Sequence, residues 1–200
     1  MSRRERAESE LTLTERARRR QLIEATVELV ADGGYAGTSL ARIAERAGIT
    51  KAAVLYHFPS KDAVVRAAHE HVLNALVAEV AAAVEAAEPA SGPAAYIRSM
   101  IGHLRDHPRH TRMITEAMTS ETAKHESAER WRPLAQILEA ARPNRRADLR
   151  TLAIIISGGI DAIVAEQLGD PAYDTAAAAD QLVAMVEAEL SSDGGSATPR

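Results

Sequence analysis

Apolar side chains recur at helical spacing along almost all of the 200-residue chain. Between residues 14 and 32 they follow the three- and four-residue repeat of an amphipathic helix. Gly33 and Gly34 then supply the residue type that most often ends a helix, because glycine enters the left-handed backbone conformation without steric cost. The first predicted element is therefore a helix that closes at these glycines.

Two short helices are predicted next. Thr38 or Ser39 can cap a helix that Gly48 stops, and Thr50 can cap a second one that runs from Lys51 to Phe58. Their apolar positions share one side, which predicts a pair of short helices packed on a common local core.

The rest of the chain also predicts helices. Ser60 can cap a long helix that continues to about residue 88, and Pro108, residues 119–127, residues 142–143 and residues 169–171 separate about five more. The segment 149–168 is apolar on nearly every side, which is typical of a helix buried in a core or against a partner subunit. The fold class expected is all-α, with about nine helices.

Composition supports a helical fold and excludes several kinds of site. Hydrophobic residues make up 46% of the chain, charged residues 26% and aromatic residues 3%, and cysteine is absent. Without cysteine the chain has no disulfide framework, thiolate zinc site or cysteine nucleophile. The basic start lacks an apolar segment, and we expect no run close to the ~20 apolar residues that cross a bilayer. These features predict a cytoplasmic protein.

Charge is divided unevenly along the chain. The formal net charge is −4, yet residues 1–62 carry 11 Lys/Arg against 9 Asp/Glu, whereas residues 63–200 carry 13 against 19. An end with excess positive charge is the one suited to a polyanion. The asymmetry is small, and it places any nucleic-acid contact toward the N-terminus.

The stretch 39–58, SLARIAERAGITKAAVLYHF, fits a helix-turn-helix, two short helices joined by a glycine-containing turn. The second helix would enter the major groove with its N-terminal residues at the base edges. We assign Thr50, Lys51, Ala52 and Ala53 to base contacts. The side chains placed for phosphate contacts are Tyr56, His57 and Lys61. Further DNA contacts are expected at the start of the preceding helix, from Thr38, Ser39 and Arg42.

The same stretch resembles the TetR family of regulators. The resemblance rests on TSLARIA at residues 38–44, AGITK at 47–51 and YHFPSK at 56–61, and it covers about residues 18–70. Leu55 departs from it, because many members carry an aromatic residue there, so that contact is not transferred. A helical hairpin whose Tyr56, His57 and Phe58 only pack a core is the alternative.

The resemblance implies a domain organisation and a function. It divides the chain into a DNA-binding domain at 14–60, an effector-binding and dimerisation domain at 61–190, and disordered tails at 1–13 and 191–200. It implies a homodimeric repressor that binds a palindromic operator in double-stranded DNA and is released by a small-molecule effector. We expect dimerisation through the helices at about 147–168 and 175–190, no cofactor, no membrane and no enzymatic activity.

The effector site is less defined by sequence than the DNA site. Residues able to line it are Met100, His103, Met113, Met118 and Trp131. His103, His107 and His110 have spacing compatible with a metal site, but Pro108 separates the third from the first two, and histidines on a solvated corner are the simpler reading. A regulator that binds DNA without a ligand, a helical enzyme and a helical interaction module remain as alternatives.

Overall fold

A computed structural model describes residues 12–118, 131–143 and 148–191, with only the backbone described at Ala117 and Met118. Within these ranges the chain forms nine α-helices, one short 3-10 helix and no strand, as the all-α prediction required. The helices are α1 Leu13–Gly37, α2 Leu40–Arg46, α3 Lys51–His57, α4 Lys61–Glu85, α5 Gly92–Asp106, α6 Pro108–Met118, α7 Arg132–Ala141, α8 Leu149–Gly169 and α9 Thr175–Ser191, with the 3-10 helix at Pro89–Ser91 between α4 and α5.

Helix α1 begins slightly earlier than predicted. Thr12 is its N-cap, where the Thr12 Oγ1 accepts from the backbone N–H of Glu15 at 3.2 Å and the Glu15 carboxylate accepts from the backbone N–H of Thr12 at 2.8 Å. This reciprocal pair is a capping box. Three residues of the predicted disordered tails therefore belong to a helix or cap one, namely Thr12, Leu13 and Ser191. The rest of both tails lies outside the described residues.

The chain divides into two compact units. Among the described residues, the N-terminal unit comprises 12–74 together with 109–118, and the C-terminal unit comprises 75–108 together with 131–143 and 148–191. Helix α4 therefore contributes its first part to one unit and its second part to the other. The functional boundary at residues 60 and 61 stays a prediction.

The core of the N-terminal unit contains the side chains predicted for the helix-turn-helix. Ile43, Val54 and Phe58 are buried and pack together, and Ile49 is partly buried against them. The other buried members of this cluster are Leu22, Leu29, Ala44, Ala47 and Val64. Because α1, α2, α3 and the start of α4 all contribute, the helix-turn-helix is held on a common apolar base.

Gly48 forms the turn between α2 and α3. Its φ is 66°, its N–H donates to the Glu45 carbonyl at 3.1 Å, and the Ile49 N–H donates to the Ala44 carbonyl at 3.0 Å. This pair of bonds after a helix is the Schellman motif, which needs a left-handed residue at the position of Gly48. The turn thus fixes the direction in which α3 leaves α2.

Gly48→Ala should destabilise the protein, whereas the same change at Gly102 should stabilise it. A Cβ would meet no atom within 4 Å at either glycine, so backbone conformation alone decides the sign. Alanine in the left-handed conformation costs about 1–2 kcal/mol, but Gly102 lies inside α5, where alanine gains about 0.5–1 kcal/mol. Denaturant unfolding of the two variants measures both changes, and equal effects would contradict the turn assignment.

A second cluster in the N-terminal unit includes Met113, which packs on α6 against Val27, Val30, Ala68 and Val72 and is 1% exposed. The prediction that Met113 lines an effector site with Met100 and Trp131 is therefore corrected. Met113 fills the core of one unit, whereas Met100 and Trp131 pack in the other.

In the C-terminal unit, which also contains the second part of α4, helices α5, α7, α8 and α9 pack on one another and the 3-10 helix lies against α7. Helix α8 buries one stripe, formed by Ala153, Ile156, Ile160 and Val164. Its opposite side leaves Ile155 62% exposed and Ile154 49% exposed. Helix α8 therefore packs into the core of its own chain on one side only.

The expectation that no run approaches membrane-spanning length is wrong for α8. The helix has 21 residues and an apolar window of mean hydropathy 1.5, enough by length and composition to cross a bilayer, and only 22% of that window is buried within the chain. A single such helix is weak evidence of a membrane protein, because helices that pack in a core or against a partner have the same composition.

Candidate nucleic-acid interface

Helix α3 has one buried and one exposed side. Val54 and the following Phe58 face the core, whereas Lys51 and Ala52 are exposed and Tyr56 is 75% exposed. Ala53, which was also predicted to face bases, is half-buried. The exposed side therefore presents one cation, one phenol, the 42% exposed Leu55 and small side chains, and at Ala52 it can approach base edges closely.

Thr50 begins α3. Its Oγ1 accepts a hydrogen bond from the backbone N–H of Ala53 at 3.2 Å, as the sequence predicted for a cap. The side chain is exposed, and its oxygen accepts that bond through a lone pair. The hydroxyl hydrogen can therefore rotate toward an external acceptor and donate to it. Thr50 can thus orient the helix and still offer one donor to DNA.

Lys61 lies at the start of α4 and is held by Tyr35. Its Nζ donates to the Tyr35 carbonyl at 2.6 Å and lies 3.6 Å from the centre of the Tyr35 ring. The Tyr35 hydroxyl donates to the Asp62 carboxylate, and that hydrogen bond raises the pKa of Tyr35. Lys61 is therefore a positioned cation, which suits the predicted phosphate contact.

Tyr56 and His57 are connected to α1. The Tyr56 hydroxyl donates to Glu15 Oε1 at 3.2 Å, and the Tyr56 ring meets the His57 ring edge-on at 5.0 Å. Arg19 Nη1 donates to the His57 carbonyl at 2.5 Å, and its guanidinium lies 4.2 Å from the centre of the Phe58 ring. The end of α3 is thus fixed by contacts from a helix some 40 residues earlier.

Two of these groups have shifted pKa values. Burial, followed by the charges of Arg19 and Arg18, lowers the pKa of His57, while the charge of Glu15 opposes that shift. Hydrogen bonds from Thr12, first from its backbone N–H and then from its hydroxyl, lower the pKa of Glu15. His57 is therefore held neutral and Glu15 ionised near neutral pH.

If His57 contacts a phosphate, operator binding should strengthen as pH falls. The free protein disfavours the imidazolium, but an adjacent phosphate favours it, so binding takes up a proton. Affinity measured at fixed ionic strength should rise from about pH 8 to about pH 6, around the ordinary histidine pKa. In His57→Gln this rise should be lost, whereas the exposed His71→Gln should keep it; a rise unchanged in His57→Gln would exclude the contact.

The side chains on and before α2 are used mainly for structure. Ser39 Oγ caps α2 by accepting from the Arg42 N–H at 3.2 Å, and the exposed Arg42 side chain donates to the Gly37 carbonyl. Thr38 is 2% exposed and its hydroxyl donates to the Gly34 carbonyl at 2.9 Å. The Thr38 hydroxyl is thus committed within the fold, which corrects its assignment as a DNA-facing side chain.

Sequence reasoning missed Arg19 and Glu15, which position the end of α3. It also missed Glu28, whose carboxylate accepts from Arg46 at 2.5 Å and from Arg109 at 3.0 Å. These partners are far apart in sequence, between 18 and 81 residues, and no local pattern signals them.

The predicted effector residues do not form one set in the described structure. Met100 and Trp131 are partly buried against the core of the C-terminal unit, with the Arg150 guanidinium 5.2 Å from the Trp131 ring. His103 is buried beside Glu79, Met113 belongs to the N-terminal unit, and the Met118 side chain lies outside the described residues. Arg98, Arg105 and Arg109 each form an ion pair with a carboxylate, those of Asp180, Asp106 and Glu28 respectively.

The sequence of this chain is similar to those of known transcriptional regulators. The family described as "Bacterial regulatory proteins, tetR family" matches residues 22–68. The HTH-type transcriptional regulator RutR of Escherichia coli (strain K12) is 32% identical over 102 residues, 51% of this chain and 48% of RutR. BetI of Burkholderia thailandensis, also an HTH-type transcriptional regulator, is 39% identical over 84 residues, 42% of each chain. The chain thus spans about half the length of the curated relatives it matches.

Solved structures share the fold over nearly the whole chain. A TetR-like transcriptional regulator from Rhodococcus sp. RHA1 superposes with a TM-score of 0.73 and 22% identity, covering 88% of this chain and 97% of that one. The transcriptional regulator FadR from Bacillus subtilis, solved in complex with stearoyl-CoA, gives 0.65 and 18%, covering 83% and 96%. At these identities the likeness establishes the fold alone.

Proposed function

We propose that this chain, whose residues 22–68 match the family described as "Bacterial regulatory proteins, tetR family", is a member of that family and a DNA-binding transcriptional regulator that responds to a small molecule. It acts as a repressor, and as a homodimer it binds a palindromic operator in the cytoplasm. Its relatives are regulators of transcription rather than enzymes.

The exposed side of α3 is the single observation that carries this proposal. Lys51, Ala52 and Tyr56 project from a helix that Val54 and the following Phe58 anchor in the core and that the turn at Gly48 orients. A rigid helix with small side chains beside a cation can enter the major groove, where direct reading of bases takes place. Lys61 and His57 flank it and would contact the backbone phosphates, which position the protein rather than specify sequence.

Dimerisation is proposed through α8 and α9. The outward side of α8 carries Ile154 and Ile155, and Met185 on α9 is 61% exposed. A helix as apolar as α8 that its own chain covers on only one side is typical of a subunit interface. Two-fold symmetry would place the same patch on both subunits and pair the two α3 helices with successive major grooves, ~34–36 Å apart.

The effector acts by shifting a population between two states. In one state the two α3 helices match the operator, and in the other they do not. A ligand that binds the C-terminal unit more tightly in the second state lowers the affinity for DNA. The size of that decrease is limited by the difference in the ligand's affinity for the two states. FadR, whose fold this chain shares, was solved with stearoyl-CoA, which makes acyl-CoA thioesters a rational first class to test here.

Selection of bound fragments from host genomic DNA, followed by titration with candidate effectors, tests the function. We expect enrichment of a two-fold symmetric sequence and a fall in its affinity for the protein with at least one effector. Unchanged affinity across a broad panel would remove the ligand response and leave the DNA-binding proposal in place. Equal affinity for enriched and random DNA would remove both.

A further inference from the structure

A buried histidine, a second histidine and a carboxylate meet between α4 and α5 in the C-terminal unit. The His103 side chain is 2% exposed, and its Nδ1 lies 2.5 Å from Glu79 Oε2. The His107 ring lies with its centre 4.4 Å from that of His103. One ligand atom from each of the three residues falls within 4.8 Å of the others.

The end of α5 explains why the two histidines meet. Residues four apart share one face of a helix, and the His107 N–H still donates to the His103 carbonyl at 2.9 Å, which keeps His107 on the last turn. Pro108 then begins α6. His110, the third histidine of the sequence motif, belongs to the other unit, and Glu79 takes the third position instead.

We propose that Glu79, His103 and His107 bind a divalent transition-metal ion, with Zn²⁺ the best fit. Two imidazole nitrogens and one carboxylate oxygen form a donor set typical of zinc, with bonds of about 2.0–2.2 Å and an open fourth position. Ca²⁺ and Mg²⁺ prefer oxygen ligands, and imidazole suits Zn²⁺, Cu²⁺, Ni²⁺ and iron.

The geometry requires only small movements to close around an ion. Tetrahedral bonds of that length place ligand atoms roughly 3.4 Å apart. The His103 Nδ1–Glu79 Oε2 distance of 2.5 Å must therefore widen to admit an ion, while no pair of ligand atoms starts more than 4.8 Å apart. Glu79 and His107 are exposed, so their side chains can turn toward the ion while His103 stays fixed in the core. The helical spacing brings the two imidazoles together, and the contact of Glu79 with His103 adds a carboxylate oxygen to them, which completes a set of three donors.

Metal binding is measured on the full-length protein, stripped with a chelator and titrated with Zn²⁺ in competition with a chromophoric chelator. We expect one ion per chain. Glu79→Gln and His107→Gln should each weaken binding by at least about 100-fold, since even the loss of a group outside the ligand set costs about 10–100-fold. His71→Gln is the matched control on α4, an exposed histidine outside the cluster, and should bind like the wild type.

A second readout separates a specific site from adventitious binding. Zn²⁺ should raise the melting temperature of the wild type and of His71→Gln, but not of His107→Gln. The reason is that an ion that binds only the folded state stabilises that state. Circular dichroism of each metal-free variant checks that it is folded. Wild-type affinity retained in Glu79→Gln or His107→Gln, or no binding by the wild type, would overturn the proposal whether or not the chain binds DNA.

Discussion

Ile155→Asp is expected to lower operator affinity by about 10²–10⁴-fold, the range that is lost when two linked binding modules are separated. Ile155 is 62% exposed on α8, and in the proposed dimer it is buried against the partner's copy of the same helix. A carboxylate buried there would lack a partner and would carry the same charge as its symmetry mate, so the subunits should separate. Sedimentation gives the mass, and fluorescence anisotropy gives the operator affinity.

Val77→Asp is the matched control for this prediction. Val77 is also 62% exposed and also lies within a helix, α4, but outside the proposed interface. The Val77→Asp substitution introduces the same charge into the same kind of local structure. The variant should therefore remain dimeric and bind the operator. A monomeric wild type, or an Ile155→Asp variant that remains dimeric with full affinity, would contradict the interface.

Lys51→Ala has the second largest expected effect. Lys51 is exposed at the start of α3, and loss of a base contact costs about 1–3 kcal/mol, or about 5- to 150-fold in affinity. The loss should be concentrated on the operator and small on random DNA, because the proposed base contact would form only at the specific site. Affinities for a set of single-base operator variants show which position is affected.

Lys61→Ala is the control that removes a positive charge without removing a base contact. It should weaken binding to every sequence and reduce the slope of log affinity against log salt by about one. If Lys51→Ala instead weakens all sequences equally and changes the salt slope, Lys51 contacts a phosphate, and the base-reading end of α3 has been misassigned.

Local signals account for the parts of the structure that the sequence predicted well. The caps at Ser39 and Thr50, the left-handed turn at Gly48 and the buried Ile43, Val54 and Phe58 all follow from residue preferences within a few positions. These features are short-range, so a motif of some 20 residues contains the information that fixes them.

Long-range pairing accounts for what the sequence could not predict. Met113 was a credible pocket residue until the structure buried it against α1 and α4, and Thr38 was a credible DNA contact until its hydroxyl met the Gly34 carbonyl. Glu79 lies 24 residues before His103, and nothing between them signals that they meet. Spacing along one helix found the histidines, but only the packing of two helices identified the carboxylate.

The most direct test of the central claim, that this chain reads DNA through paired α3 helices, is the affinity of the purified protein for its selected genomic sequence compared with random duplex at one salt concentration. We expect a two-fold symmetric sequence with half-sites about one helical turn or a multiple of it apart, bound at least about 10³-fold more tightly than random DNA. Fragments without a shared symmetric sequence, bound no more tightly than random duplex, would contradict it.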